Sequence, residues 1–264
     1  MKSQTIRLLM LGLLALGLTG CVTTTVSSFD GKKDLDKAVL TYVQIGYGYF
    51  QQGNNQQAKE ALTKALDIDS KSPGAHMGLA RVYDRELEFK LADSHFKKAL
   101  NYGESTEGHF QYGVYLYNRG DFKGAYKQFQ KTLEDTVSTR RALAFEYQGI
   151  VASRLDKMDI AITSYERALA LNPLMGNSFL GLANIYFDRQ ELGTSYRHYN
   201  GFIALVRAQQ GRQNATTLWL GIQLAAAAQD KNALSSLELQ LKNRFPNSTE
   251  YQAYLKWLAE QDAA

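Results

Sequence analysis

The stretch "YVQIGYGYFQQGNNQQAKEALTKAL", residues 42 to 66, decides the fold of this chain. It returns in altered form 34 positions later as "HMGLARVYDRELEFKLADSHFKKAL", residues 76 to 100. Small and large residues keep the same spacing in both copies. Each copy contains two segments of helical period, and turn formers such as Gly53-Asn54 lie between the two segments of the first copy. The sequence therefore predicts pairs of short helices that repeat along the chain.

Six such units can be assigned, starting at residues 39, 73, 106, 142, 176 and 214. The eighth position is small in every unit: Gly46, Ala80, Gly113, Gly149, Ala183 and Gly221. The twentieth is also small: Ala58, Ala92, Ala125, Ala161, Ser195 and Ala233. The twenty-fourth is bulky: Leu62, Phe96, Phe129, Tyr165, Tyr199 and Leu237. This pattern is typical of the tetratricopeptide repeat. We therefore predict an all-α fold, a right-handed superhelix of six tetratricopeptide repeats over residues 39–247.

The end of the chain departs from the regular period. Unit spacing is irregular after the third and fifth units, so "VRAQQGRQNA" (206–215) is expected to form a longer second helix or an extended loop. Residues 248–264 are predicted to be a capping helix and tail, because Tyr251, Tyr254, Leu255 and Leu258 have helical spacing. This helix would cover the apolar face of the last repeat.

The N-terminus has the pattern of a lipoprotein signal peptide over residues 1–20. Lys2 and Arg7 precede an apolar run of 11 residues, Leu8 to Leu18, which is too short to span a bilayer. The sequence "LTGC" then places the single cysteine of the chain, Cys21, where a bacterial lipobox requires it. We expect lipid on Cys21, and the alternatives are an ordinary secretory signal with an incidental cysteine or a buried core thiol. Residues 21–38 are expected to form the lipidated cysteine and a flexible tether.

Composition narrows the choice of partners. The chain has 30 basic and 26 acidic side chains, and removal of the signal peptide would leave it nearly neutral. No run of like charges provides a nucleic-acid footprint, so no nucleic acid is expected. Val22 and Thr23 follow the cysteine, without the aspartate that commonly retains lipoproteins at the inner membrane, which favours the outer membrane with the chain facing the periplasm.

The sequence contains no recognisable catalytic or metal-binding constellation. The four histidines, His76, His95, His109 and His198, are scattered, and repeat packing is expected to account for them. We therefore predict no catalytic residue, no metal and no cofactor other than the covalent lipid on Cys21. A periplasmic enzyme on a repeat scaffold is the alternative, but no residues in the sequence suggest its active site.

The concave groove is the expected partner site, because positions 2, 5, 9 and 12 of each first helix point inward in such a superhelix. In the first unit these positions are Leu40, Val43, Tyr47 and Phe50, and in the second Gly74, Met77, Arg81 and Asp84. In the third they are Glu107, Phe110, Val114 and Tyr117. The aromatic members suggest an exposed stripe that takes an amphipathic or hydrophobic segment. The predicted partner-binding residues are Leu40, Val43, Tyr47, Phe50, Met77, Phe110, Val114 and Tyr117.

The whole chain resembles the type IV pilus biogenesis lipoproteins, the pilotins called PilF or PilW. The resemblance is sharpest in "QYGVYLYNRG" (111–120), "QNATTLWLGIQLA" (213–225) and "LQLKNRFPNSTEYQ" (239–252). It implies a non-enzymatic outer-membrane lipoprotein that binds the pilus secretin and promotes its outer-membrane localisation and multimerisation, which twitching motility requires. The lipoprotein sorting machinery would carry it to the membrane, and we expect a monomer. An adaptor of β-barrel assembly or a scaffold for peptidoglycan hydrolases is the alternative.

Overall fold

The computed structural model describes residues 28–262, with side chains for residues 31–261. Within that range the chain forms thirteen α-helices and no strand. In chain order these are α1 (Ser28–Gln51), α2 (Asn55–Ile68), α3 (Pro73–Arg85), α4 (Phe89–Tyr102), α5 (Thr106–Asn118), α6 (Phe122–Glu134), α7 (Arg141–Arg154), α8 (Met158–Leu171), α9 (Gly176–Asp188), α10 (Leu192–Arg207), α11 (Ala215–Ala227), α12 (Lys231–Arg244) and α13 (Thr249–Asp262).

The helices form six consecutive pairs, α1–α2 to α11–α12, followed by α13 as a cap. Three pairs of neighbouring first helices contact each other, α1 with α3, α5 with α7 and α7 with α9. Each second helix packs on its own first helix and, in the first five pairs, on the next first helix. The first helices thus form the inner layer of the superhelix. The cap α13 packs on α11, where Leu218 and Ile222 are fully buried and Tyr254 joins their cluster. The predicted superhelix of six repeats and a cap is confirmed.

The three sequence columns form the core between the layers. The twentieth-position residues of the first five units are completely buried, and the twenty-fourth-position residues are buried in all six. Glycine at the eighth position lets the helices approach, since a β-carbon on Gly113 would lie 2.8 Å from the Phe129 ring. Burial of a side chain of this size contributes roughly 1.5–3 kcal/mol, so the bulky residue of each unit is one substantial contribution to its packing.

The turn inside each pair uses the same backbone geometry in all six units. One residue per turn has a left-handed conformation, with φ between 57° and 81°. These residues are Gly53, Leu87, Gly120, Asp156, Gln190 and Gln229. Only two are glycine, and a side chain in this region costs roughly 1–2 kcal/mol. Packing of the two helices therefore imposes the turn conformation on four residues that do not favour it.

The expectation of a flexible tether up to residue 38 is wrong for the part that the structure describes. Helix α1 begins at Ser28, so residues 28–38 are helical. The residues after Gly31 (KKDLDKA, 32–38) have no apolar stripe, but none of them is a strong helix breaker. Because a helix lengthens more easily than it starts, the helix that is packed from Val39 onward extends back through them. Residues 32–37 are exposed on all sides. Cys21, the signal peptide and residues 21–27 lie outside the described residues.

The link after the fifth unit combines the two expected alternatives. Helix α10 is 16 residues long, and residues 208–214 then connect it to α11 without forming a helix. Across residues 28–262, none of the helices is both long enough and apolar enough to cross a membrane.

Candidate functional site

The predicted groove residues lie on the inner layer, but their exposure differs widely. Leu40 is 63% exposed, whereas Val43, Tyr47, Met77, Val114 and Tyr117 are partly buried. Phe50 and Phe110 are only 8% and 4% exposed. The predicted stripe of exposed aromatic rings is therefore wrong at these two positions, and the side chains that cover them form the groove surface instead.

Two arginines of the second unit cover Phe50. The Arg85 guanidinium carbon lies 3.5 Å from the centre of the Phe50 ring, and that of Arg81 lies 4.6 Å away. Arg85 Nη1 also donates to the Phe50 carbonyl oxygen at 2.6 Å and to Asn55 Oδ1 at 3.3 Å. A guanidinium over an aromatic face is attracted by the negative face of the ring. Two positively charged side chains therefore cover Phe50 on the groove side.

Phe110 is covered from two directions. Its ring packs against Tyr147 of the fourth unit, with 5.8 Å between ring centres, and against Phe129 at 6.0 Å. The Arg140 guanidinium lies 5.5 Å from the ring centre. Arg140 also donates from Nε and Nη2 to the two carboxylate oxygens of Glu107, at 2.7 and 3.1 Å. In the third unit, the groove surface is therefore the Arg140–Glu107 ion pair, which lies over the buried Phe110 ring.

Tyr47 remains partly accessible and is held in place by the second unit. Its hydroxyl donates to the Gly74 carbonyl oxygen at 3.5 Å, and the Arg81 guanidinium carbon lies 5.5 Å from its ring centre. Burial raises the pKa of Tyr47, and the nearby Arg81 charge opposes that rise. The tyrosine is therefore neutral at physiological pH. Its ring forms one wall of the groove beside Arg81.

A cleft of about 190 Å³ opens between the second and third units. Arg81, Asp84 and Arg85 from α3 line one side, and Gln111, Val114 and Asn118 from α5 line the other. Burial raises the pKa of Asp84, which the Arg119 charge partly counteracts. The sequence pattern does not predict Arg85 or Arg140 as groove residues. The signal in the sequence is position alone: Arg85 directly follows Asp84, the last inward-pointing residue of the second unit, and Arg140 lies two residues before the start of the fourth unit.

The histidines are less scattered than the sequence suggested. His76 Nδ1 lies 3.0 Å from His95 Nδ1, and His76 Nε2 lies 3.2 Å from the Ser70 carbonyl oxygen. Because a carbonyl only accepts, Nε2 of His76 carries the proton and its Nδ1 accepts from His95. Burial and the neighbouring His76 lower the pKa of His95 to about 4.

The other two histidines also pack within the repeats. His109 Nδ1 lies 2.7 Å from Gln128 Oε1, and His198 stacks on Tyr186 with ring centres 5.6 Å apart. Residues 28–262 contain no group of three or more His, Cys, Asp or Glu side chains that could hold a metal ion.

Comparison with known proteins identifies the family of this chain. Tetratricopeptide repeat family models match residues 49–102 and 148–201. The type IV pilus assembly protein PilF of Pseudomonas aeruginosa is 37% identical over 254 residues, which cover 95% of this chain and 98% of that relative. The chain belongs to the PilF family. The family thus accounts for almost the full length of the chain, including the cap and the irregular fifth link as well as the repeats.

Two solved structures agree with this assignment. The structure of Pseudomonas aeruginosa PilF matches with a TM-score of 0.76 at 36% identity, covering 84% of this chain and 99% of that one. PilW, described as a widely conserved type IV pilus biogenesis factor, matches with a TM-score of 0.68 at 25% identity, covering 82% of this chain and 98% of that one. This PilF-family member is therefore a tetratricopeptide repeat protein of type IV pilus biogenesis.

Proposed function

We propose that this protein is a pilotin, a non-enzymatic lipoprotein that binds the type IV pilus secretin and promotes its localisation and multimerisation in the outer membrane. The observation that carries the proposal is the 37% identity to PilF over 95% of the chain. Pilus biogenesis and twitching motility would depend on this binding. The protein would act as a monomer without cofactor, and its partners would be the secretin and the lipoprotein sorting machinery.

The groove of the first three units is the proposed secretin site. Leu40, Val43 and Tyr47 give it an accessible apolar side, and Arg81 and Arg85 give it positive charge above Phe50. Surfaces that combine aromatic residues and arginine are typical of the energetic centre of protein interfaces. The groove is continuous with the cleft between α3 and α5, so an extended or helical segment could contact both.

The lipid on Cys21 would supply the membrane anchor, and this part of the proposal rests on the sequence. Cys21 precedes Ser28, where α1 begins, by seven residues. Seven residues span at most about 25 Å in any conformation. Because α1 continues as a helix into the first repeat, the groove would stay close to the membrane surface and move with the anchor.

Replacement of the anchor cysteine tests the delivery step. With Cys21→Ser, we expect the secretin to leave the outer-membrane fraction and its detergent-resistant multimers to decline, because protein that is not acylated cannot enter lipoprotein sorting. Ser27→Ala in the same region is the matched control and should leave both unchanged. Normal outer-membrane secretin multimers in cells that carry only Cys21→Ser would contradict the proposed delivery.

Substitution of an exposed leucine tests the groove. Leu40→Asp places a charge on the apolar side of the groove, and we expect it to abolish co-purification of the secretin. Leu239 on α12 is 59% exposed, close to the 63% of Leu40, so Leu239→Asp is a matched control on a second helix. Equal secretin capture by both variants would show that the groove of the first unit is not the binding surface.

A further inference from the structure

The groove chemistry points to a particular kind of partner segment. We infer that the cleft between α3 and α5 binds a carboxylate of the secretin segment, and that Arg81 is the residue that contacts it. This inference rests on the proposed function and specifies the ligand of that same groove. It replaces the amphipathic or purely hydrophobic segment expected from sequence with one that carries an acidic group next to apolar residues.

The Arg81 guanidinium is oriented but has no opposite charge. It lies over Tyr47 and Phe50, 5.5 and 4.6 Å from the ring centres. No ion pair to Arg81 is present among residues 31–261. Ring contacts use the faces of a guanidinium, and Arg81 also hydrogen-bonds to the Tyr47 hydroxyl. A guanidinium has five N–H donors, so others remain that can bind a carboxylate. Arg81 is thus held ready for an anion that the described protein does not provide.

Arg85 adds a second positive charge on the same side of the cleft. Arg85 donates to two neutral acceptors, the Phe50 carbonyl oxygen and Asn55 Oδ1, and it has no ion pair with a carboxylate among the described residues. In contrast, the Glu107 carboxylate nearby is already engaged by Arg140 and by Gln111 Nε2 at 2.7 Å. Glu107 therefore forms its ion pair with Arg140 and not with the arginines of α3.

Asp84 adds a negative charge to the cleft, so attraction and repulsion of a bound ligand can be tested separately. It lines the cleft one turn after Arg81, and no ion pair to it is present among the described residues. The three charged side chains of α3 that line the cleft therefore sum to one positive charge. A carboxylate from the partner would be attracted by the arginines and repelled by Asp84. A cation from the partner would respond in the opposite way.

The size of the cleft limits what enters it. A volume of about 190 Å³ accommodates a side chain or a chain end and is smaller than the usual small-molecule pocket of roughly 300–1,000 Å³. The amides of Gln111 and Asn118 on the opposite wall can hydrogen-bond to a peptide backbone. Phe50 and the partly buried Val114, which also line the cleft, supply the apolar contacts. The arrangement fits an aspartate or glutamate side chain, or a terminal carboxylate, within a peptide.

The experiment uses overlapping synthetic peptides that cover the sequence of the cognate secretin, with binding to the purified protein measured by fluorescence anisotropy. The captured peptide is remade with Asn or Gln in place of Asp or Glu, and separately with an amidated C-terminus, which separates a side-chain carboxylate from a terminal one. We expect Arg81→Gln to weaken binding of the acidic peptide about tenfold or more. The neutral peptide should bind wild type and Arg81→Gln within about twofold of each other.

Two further variants test whether the effect of Arg81→Gln comes from charge in the cleft. Asp84→Asn should strengthen binding of the acidic peptide about threefold or more, because it removes a repulsion. Arg207→Gln on α10 removes another arginine that has no ion pair among residues 31–261, so it should leave binding unchanged. Unchanged binding by Arg81→Gln, or weaker binding by Asp84→Asn, overturns the inference while secretin binding by the wild type still supports the proposed function. If the wild type captures neither the secretin nor any of its peptides, the proposed function fails and the inference fails with it.

Discussion

A buried carboxylate joins the fourth and fifth repeats, and its removal tests how the units are held together. Glu146 on α7 is only 5% exposed. It accepts hydrogen bonds from the Ser178 amide at 3.1 Å, the Ser178 hydroxyl at 3.0 Å and Asn177 Nδ2 at 3.2 Å. Ser178 is the third residue of α9, whose N-cap residue Met175 provides no capping side chain. Glu146 therefore caps the next repeat from the preceding one.

The expected cost of Glu146→Ala follows from these contacts. The variant leaves the hydroxyl of the fully buried Ser178 without its partner and leaves its amide only the Met175 carbonyl, and an unsatisfied buried donor costs roughly 1–3 kcal/mol. Loss of a favourable charge at a helix N-terminus adds about 0.3–1 kcal/mol. Relief of the penalty for burying a charge offsets part of this loss. We expect the free energy of unfolding to fall by about 1–3 kcal/mol.

Urea denaturation followed by far-UV circular dichroism measures the change, and amide hydrogen exchange locates it. Exchange should accelerate in the first turn of α9 more than in α1 or α13, because repeat proteins respond mainly at the affected interface. Glu166→Ala on the exposed surface of α8 is the matched control and should change the free energy by less than about 0.5 kcal/mol. A loss below about 1 kcal/mol for Glu146→Ala, with uniform exchange, would refute the capping role.

Three further variants test other parts of the fold. The pKa of His95, lowered to about 4, lies below its unfolded value of about 6.5, so wild-type stability should decline as pH falls from 6.5 to 4, and His95→Gln should flatten that decline in Tm measurements. A β-carbon on Gly221 would overlap the buried Tyr199 ring, so Gly221→Ala should lower the free energy of unfolding by about 1–3 kcal/mol, whereas Gly193→Ala, which meets open space, should not lower it. Leu87 has φ of 63° and is exposed, so Leu87→Gly should raise the free energy of unfolding by about 0.5–1 kcal/mol; a loss in urea denaturation would contradict the strain argument.

Much of the fold could be predicted from the sequence because each repeat encodes its own packing. The small residue at position 20, such as Ala125, and the bulky residue at position 24, such as Phe129, meet within one helical pair, and both are fully buried. Their spacing is set by helical geometry over a few turns, so it is visible in a linear pattern. The start of α1 was less predictable, because residues 28–38 are helical without an apolar stripe that would mark them.

The sequence by itself determined the repeat, the order of the helices and the residues of the core, since these depend on local period and on which side chains avoid water. The tertiary structure decided what the groove presents to a partner. Phe50 has the same position in its helix whether it is exposed or covered, and only the placement of Arg81 and Arg85, more than 30 residues later, covers it. Likewise, Glu146 reaches Ser178 across a repeat boundary. Long charged side chains from the next unit determine the exposed chemistry, and their positions depend on the packing angle between units, which the linear period does not specify.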